Sequence, residues 1–325
     1  MLAGFENAFY DEASIESFDH VNQQKYVKEV LHALDNQMPD FKRYNFVFFS
    51  GNAGMRPSMM NSSLPNKVLI QWEDQLGTEP DEDVMKAFVQ VFKTHLRHRS
   101  SKYPNLHSYP LGIPYKVKEK EIIPIEKRQT SVFYAGNLND NRLLFYQSIL
   151  HCCHHSLIKK VISLLLAKCM GCFSEKGRFR NINLRIKSLI FKKGLTEFDN
   201  MYGNSIIRFT RSFQAGFTPE EYAGLLSQSK IVLSPRGFFN TECFRFYEAL
   251  RQGCVVITEK LPPTDYYDNS YYVEVDNWMG IETVIENLLS NPQKLKTMQE
   301  DGLKYYREKL SPEGVARYII SKIYG

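Results

Sequence analysis

Residues 229–260 read SKIVLSPRGFFNTECFRFYEALRQGCVVITEK, and this stretch decides the fold. Ile231-Val232-Leu233 is a short apolar run of the kind a buried parallel strand requires. Ser234-Pro235-Arg236-Gly237 breaks it, because Pro235 has no N–H for a ladder and Gly237 permits a positive φ or the close approach of a ligand. Asn240 or Thr241 is placed to cap a helix that runs to about Gln252, with Gly253 as its C′ residue. Cys254-Val255-Val256-Ile257-Thr258 is the next strand. The order strand, loop, helix, strand belongs to an α/β protein with a parallel sheet.

Thr241, Arg245 and Glu248 are spaced i, i+4, i+7 and so share one helix face. The loop and the helix N-terminus aim N–H groups and a positive dipole outward, which suits a phosphate. Arg245 adds a planar cation that can grip phosphate oxygens in pairs. Glu248, two turns in, is placed to accept hydrogen bonds from a pair of ribose hydroxyls. The plainer alternative is a helix ion pair between Glu248 and Arg245 or Arg251.

Ser234-Pro235-Arg236-Gly237, then Arg245-x-x-Glu248-Ala249-Leu250, then Gly253-Cys254-Val255-Val256-Ile257 resembles the donor-site signature of exostosin-like glycosyltransferases. The resemblance extends over the last two-thirds of the chain and is specific around 231–257. It implies an α/β protein of GT-B type, two Rossmann-like domains facing across a cleft. It also implies that Glu248 binds the donor ribose, while Arg245 and the Arg236-Gly237 loop bind its diphosphate. Where that family ends the second strand with Pro-Val, this chain has Val255-Val256-Ile257.

Composition sets the outer limits. A chain of 325 residues, 43% apolar and 24% charged, is long enough for two domains with real cores. Its formal net charge of +5 suits an anionic donor or an anionic membrane surface and does not demand nucleic acid. No apolar run approaches the roughly 20 residues that span a bilayer, and Met1 to Ser14 carries no basic-then-apolar leader pattern. The expectation is a cytoplasmic chain, peripheral on the inner face of the membrane. Of the six cysteines, Cys243 and Cys254 belong to the signature and are expected reduced and buried. Cys152, Cys153, Cys169 and Cys172, with His151, His154 and His155, match no standard zinc spacing, and no metal is assigned.

Along the chain, Asn22 to Leu34 reads as an amphipathic helix, Phe46 to Phe49 as a buried strand and Ser50 to Pro57 as a Gly-containing loop. Val68 to Trp72 is a strand ending in Glu73-Asp74. A carboxylate there is placed to deprotonate an acceptor hydroxyl, so Asp74 and Glu73 are the candidate catalytic residues, against a plain capped turn. Pro80-Asp81-Glu82-Asp83 reads as a helix start, with Pro80 at N1 and the helix over Val84 to Leu96, rather than as a metal-binding Asp-x-Asp; a short strand over Val89 to Lys93 is the alternative. Lys116 to Arg128 is an exposed, charged connection. Ser131 to Gly136 opens the second domain, and Arg142 follows. Strand, Gly136, then Arg142 again resembles the exostosin-like pattern and implies a second phosphate-binding arginine. Residues 151–193 carry many cations against one acid, Glu175, beside the apolar Ile158, Val161, Ile162, Leu164, Leu165 and Leu166. This insertion is read either as a membrane-facing element for a lipid-linked acceptor or as a basic loop near the donor phosphates. Thr218-Pro219-Glu220-Glu221 is a capping box with Pro219 at N1.

The chain is therefore read as residues 1–115 forming an acceptor-side Rossmann-like domain, onto which a C-terminal helix over 312–325 packs back. Residues 116–311 form the donor domain. The expected activity is metal-independent transfer of a sugar from a UDP- or GDP-linked donor to a hydroxyl of a glycan or lipid-linked glycan, in surface polysaccharide synthesis. No separate cofactor is expected, since the nucleotide sugar is a substrate. The alternatives are a non-catalytic nucleotide-sugar or glycan binder on the same fold and a nucleic-acid binder using 151–193, which lacks a recognised nucleic-acid module.

Overall fold

The computed structural model describes residues 2, 4–11, 18, 21–51, 55–72, 77–98, 102–114, 116–153, 157–173, 178–192, 196–212, 215–238, 240–267 and 271–325. The readings placed on Glu73, Asp74, Asn52 to Gly54, His154 and His155 lie outside these.

Two five-stranded sheets form, each parallel throughout. The first holds β1 (Ala8–Tyr10), β2 (Asn45–Ser50), β3 (Lys67–Trp72), β4 (Gln90–Lys93) and β5 (Leu106–Ser108) in that spatial order. The second is ordered β10-β9-β8-β6-β7, from β6 (Thr130–Asn137), β7 (Ile206–Thr210), β8 (Ser229–Ser234), β9 (Val255–Glu259) and β10 (Val273–Val275). The apolar runs read as parallel strands are buried on both faces: all of β3, and β8 except Lys230.

The two orders differ in a way that locates a ligand. The first sheet winds in one direction only. In the second, the chain leaves β6 for β7 on one side and returns as β8 on the other. The reversal opens a crevice beyond the C-terminal ends of β6 and β8, the position at which open α/β sheets bind ligands.

Helices α1 (Gln24–Gln37) and α2 (Glu82–Ala87) serve the first sheet. Then come α3 (Leu143–Cys152), α4 (Leu157–Gly171), α5 (Arg180–Lys192), α6 (Pro219–Ser227), α7 (Phe244–Arg251), α8 (Ile281–Leu289), α9 (Pro292–Tyr305) and α10 (Pro312–Tyr324). One core joins both sheets through Phe46, Phe48, Tyr109, Tyr247, Leu250 and Val315, so apolar packing is continuous between the two halves. The last helix, α10, lies on α1, and its Tyr318 ring meets Phe92 of β4 edge-on. At α6 the capping box forms as read: Thr218 Oγ1 accepts from the Glu221 N–H, and Glu221 accepts from the Thr218 N–H at 2.8 Å.

Several local readings are corrected. Helix α2 starts at Glu82 with Asp81 as N-cap, so Pro80 stands outside it, and the chain turns at Phe88 into strand β4. The single long helix over Val84 to Leu96 does not form and the alternative, a short strand over Val89 to Lys93, does as Gln90–Lys93, because Val91 and Phe92 pair with β3 and β5 and bury completely. Arg128, read as part of an exposed linker, is buried. Its guanidinium donates to the carbonyls of Ile123, Ser229 and Gln252, closing the end of α7 and the start of β8 together.

The 151–193 insertion forms the α4–α5 hairpin. Ala167 and Met170 of α4 and Ile190 of α5 face the body. Leu157 and Ile158 are 76% and 73% exposed, and Val161, Leu165, Phe179, Ile182, Leu184 and Leu189 are exposed with them. Cys152, Cys153, Cys169 and Cys172 are all free thiols. Among the described residues there is no helix long and apolar enough to cross a membrane.

Candidate functional site

The crevice is built by the segments that follow β6 and β8. Helix α7 begins at Phe244, with Cys243 as N-cap and, among the described residues, no side-chain cap hydrogen bond. Thr241 lies outside the helix, so the shared face with Arg245 and Glu248 is not made. The residues Asn240 to Cys243 instead run on as loop, closed by the Gly237 N–H donating to the Asn240 carbonyl at 2.8 Å. Gly237 does not take a positive φ; Gly253 does, at 66°, where its N–H meets the Leu250 carbonyl at the end of α7.

Arg245 and Glu248 are 9% and 5% exposed. Arg245 Nη2 donates to the Ala135 carbonyl of β6 at 2.6 Å, and its guanidinium lies 4.8 Å above the Tyr134 ring. Its buried Nε and Nη1 have no hydrogen-bond partner among the described residues. Buried donors without acceptors are uncommon in folded proteins. Gly136 is required by this approach: a Cβ there would sit 2.5 Å from Arg245 Nη2 and 2.9 Å from the Tyr134 hydroxyl oxygen.

Glu248 accepts a hydrogen bond from the Tyr222 hydroxyl at 3.0 Å on Oε2. It forms no ion pair among the described residues, so the helix ion pair with Arg245 or Arg251 is not made; Arg251 donates to the Val117 carbonyl instead. Burial raises the pKa of the Glu248 carboxyl, against the opposing hydrogen bond from Tyr222 and the charges of Arg245 and Arg251. Burial likewise drives the Tyr222 phenol well above its ordinary value, which keeps it a donor.

Arg142 lies at the start of α3 and is buried. Its Nη1 donates to the Asn137 carbonyl at 2.9 Å and to Asn137 Oδ1 at 2.5 Å, and its Nε donates to the Arg236 carbonyl at 2.8 Å. It thus ties the end of β6 to the bend after β8. The Asn141 amide reinforces that tie through the carbonyl of Phe238. Arg236 is more open and faces Glu259 at 3.6 Å. Burial raises the Glu259 pKa, against the Trp278 indole N–H that donates to it at 2.6 Å.

A further group was not read from sequence. Glu242, 6% exposed, accepts from His95 Nδ1 at 3.1 Å and from the Tyr267 hydroxyl. His95 belongs to the first sheet's C-terminal edge, just after β4, so this bond spans the two halves. The sequence stretch holding His95 carried a helix pattern, and nothing local in it marks the contact.

Residues 208–278 match the family described as RXYLT1 C-terminal domain, well under half of the chain. No curated protein sequence is similar to this chain. Among solved structures, it is similar to a glycosyltransferase from Rickettsia africae ESF-5, with TM-score 0.50 and 14% identity, covering 90% of this chain and 80% of that one. It is also similar to an alpha-glucosyltransferase solved with UDP-glucose and DNA containing an abasic site, with TM-score 0.50 and 10% identity, covering 98% and 90%. At such identities the likeness speaks for the fold. Two α/β units, each with a parallel five-stranded sheet, superposing on these structures over nearly the whole chain, make this a protein of the GT-B fold.

Proposed function

We propose that the chain is a glycosyltransferase that moves a sugar from a UDP- or GDP-linked donor to a hydroxyl of a glycan or lipid-linked glycan, in surface polysaccharide synthesis. Residues 116–311 would be the donor unit, and residues 1–115 with α10 the acceptor unit. One observation carries the reading. At the crevice where strand order reverses, a buried arginine with two partnerless nitrogens lies one helical turn from a buried glutamate whose Oε1 has no partner among the described residues. Phosphates fit the first and ribose hydroxyls the second. Arg245 and the uncapped N-terminus of α7 face the diphosphate, with Arg236 at the rim. Arg142 and Gly136 shape the cradle. That positive charge stabilises the leaving diphosphate without requiring a metal ion.

The test is thermal unfolding against a panel of UDP- and GDP-sugars, followed by turnover of whichever stabilises. A donor at 100 times its Kd adds about 2.7 kcal/mol, enough to raise Tm by several degrees. Release of nucleoside diphosphate that survives chelation of metals is the expected result. A donor that binds and is neither transferred nor hydrolysed would leave a non-catalytic binder.

The α4–α5 hairpin is the proposed contact with an anionic membrane, which would place the protein on its cytoplasmic face. Its described residues carry Lys159, Lys160, Lys168, Arg178, Arg180, Arg185 and Lys192 and no acid, beside an outward apolar row. Sedimentation with phosphatidylglycerol-containing vesicles should exceed that with phosphatidylcholine alone, and Leu157→Glu with Ile158→Glu should abolish the difference.

A further inference from the structure

Among the described residues, His95 is the one side chain of the first sheet's edge bonded to the segment that leads into α7. It is 7% exposed and takes φ of 59°, a left-handed conformation that is uncommon for a residue other than glycine. Its backbone is held there: a Cβ at Gly77 would lie 2.2 Å from the His95 carbonyl oxygen, so Gly77 is the residue that lets the two segments touch. Strain kept in place by packing occurs where a side chain must be aimed.

The side chain is aimed from one half to the other. A carboxylate can only accept, so the Glu242 bond at 3.1 Å puts the proton on His95 Nδ1. In the neutral imidazole that leaves Nε2 as the basic nitrogen, and no other partner of His95 is found among the described residues. Glu242 is itself held by the hydroxyls of Tyr267 and Tyr247, the second of which also accepts from the Leu111 N–H at 3.1 Å. A base oriented by a third group is the arrangement that proton abstraction requires.

Resting on the donor reading above, we propose that His95 is the general base for the acceptor hydroxyl and that Glu242 is its positioning residue, so that the base is completed only when the two halves meet. In the reaction, the acceptor O–H proton passes to His95 Nε2 while the acceptor oxygen forms a bond to the anomeric carbon. The bond from that carbon to the diphosphate oxygen breaks, and the diphosphate leaves with the electron pair toward Arg245. The imidazolium then returns its proton to water. The single displacement inverts the anomeric centre.

His95→Asn separates this role from that of a simple strut. Asparagine tolerates the left-handed backbone and its amide can still donate to Glu242, yet it has no basic nitrogen. With the nucleotide sugar that gives the largest thermal shift, and water as acceptor, His95→Asn should keep nucleoside diphosphate affinity and lose about 100-fold or more in turnover. His95→Gly, which suits the same φ, should regain turnover on addition of imidazole. Retention of turnover within about threefold by His95→Asn, well short of what a general base supplies, overturns the base. So does a His95→Gly protein that binds nucleotide and is indifferent to imidazole, or a product of retained configuration. A wild-type chain that binds no nucleotide sugar overturns the donor reading itself, and the base with it.

Discussion

Glu248→Gln is expected to unfold at the same temperature as the unmodified chain or higher at neutral pH, and to bind the nucleotide-sugar donor about tenfold or more weakly. The loss follows from replacing a charged acceptor by a neutral one at a ribose pair, where such hydrogen bonds are worth about 1.5–3 kcal/mol. The stability gain follows from burial. Desolvation raises the folded-state pKa of Glu248 above the ordinary 4.5. A carboxyl shifted in this direction favours the fold while protonated. That contribution is fully present below pH 4.5 and is lost as pH rises through the raised folded-state value. At neutral pH the protein therefore carries a buried charge that glutamine does not, and the Gln oxygen still accepts from Tyr222. The difference in Tm between the two proteins should be largest near pH 7 and vanish below about pH 4. Equal stability losses at every pH, or unchanged donor affinity, would remove the ribose assignment. Glu248→Ala is the poorer probe, since it leaves the Tyr222 hydroxyl without its acceptor.

Arg245→Met should give the second large effect, a fall of about 100- to 1,000-fold in turnover with little loss of fold. Methionine fills much of the same volume and removes a buried cation two of whose nitrogens have no partner among the described residues. What the fold forfeits is the bond to the Ala135 carbonyl and the contact with the Tyr134 ring, the latter worth about 0.5–2 kcal/mol. Arg245→Lys should fall between the two, because an ammonium keeps the charge and reaches Ala135 but lacks the fork that grips a diphosphate. Steady-state release of nucleoside diphosphate and calorimetric nucleotide binding check both variants. If Arg245→Met turns over donor as fast as the unmodified chain, the phosphate cradle lies elsewhere.

The two variants share a logic. A protein that places a buried carboxylate and a buried, half-satisfied guanidinium one turn apart without pairing them gives up stability at that point. The fold tolerates this because Tyr134, Tyr222 and the β6 backbone hold the groups from behind.

The amino-acid sequence by itself determined the features that depend on near neighbours. The strand–bend–helix–strand run of 229–260, the capping box at Thr218, the turn at Gly253 and the apolar strands of both sheets all follow from periodicity, φ preference and spacing. Each of these forces acts over a few residues, so each is written in a short stretch. Only the tertiary structure decided what depends on residues far apart in the chain. The bond between His95 and Glu242 joins positions 147 residues apart. The pairing of Val91 and Phe92 with β3 and β5 overrode a helical pattern. Thr241 was drawn off the helix, Arg128 was buried among three carbonyls, and the apolar row of α4 was turned outward. For His95, Val91, Phe92 and Arg128 the deciding term is desolvation or hydrogen bonding against a distant partner. No local pattern encodes that partner, because the energy exists only once the sheets are assembled.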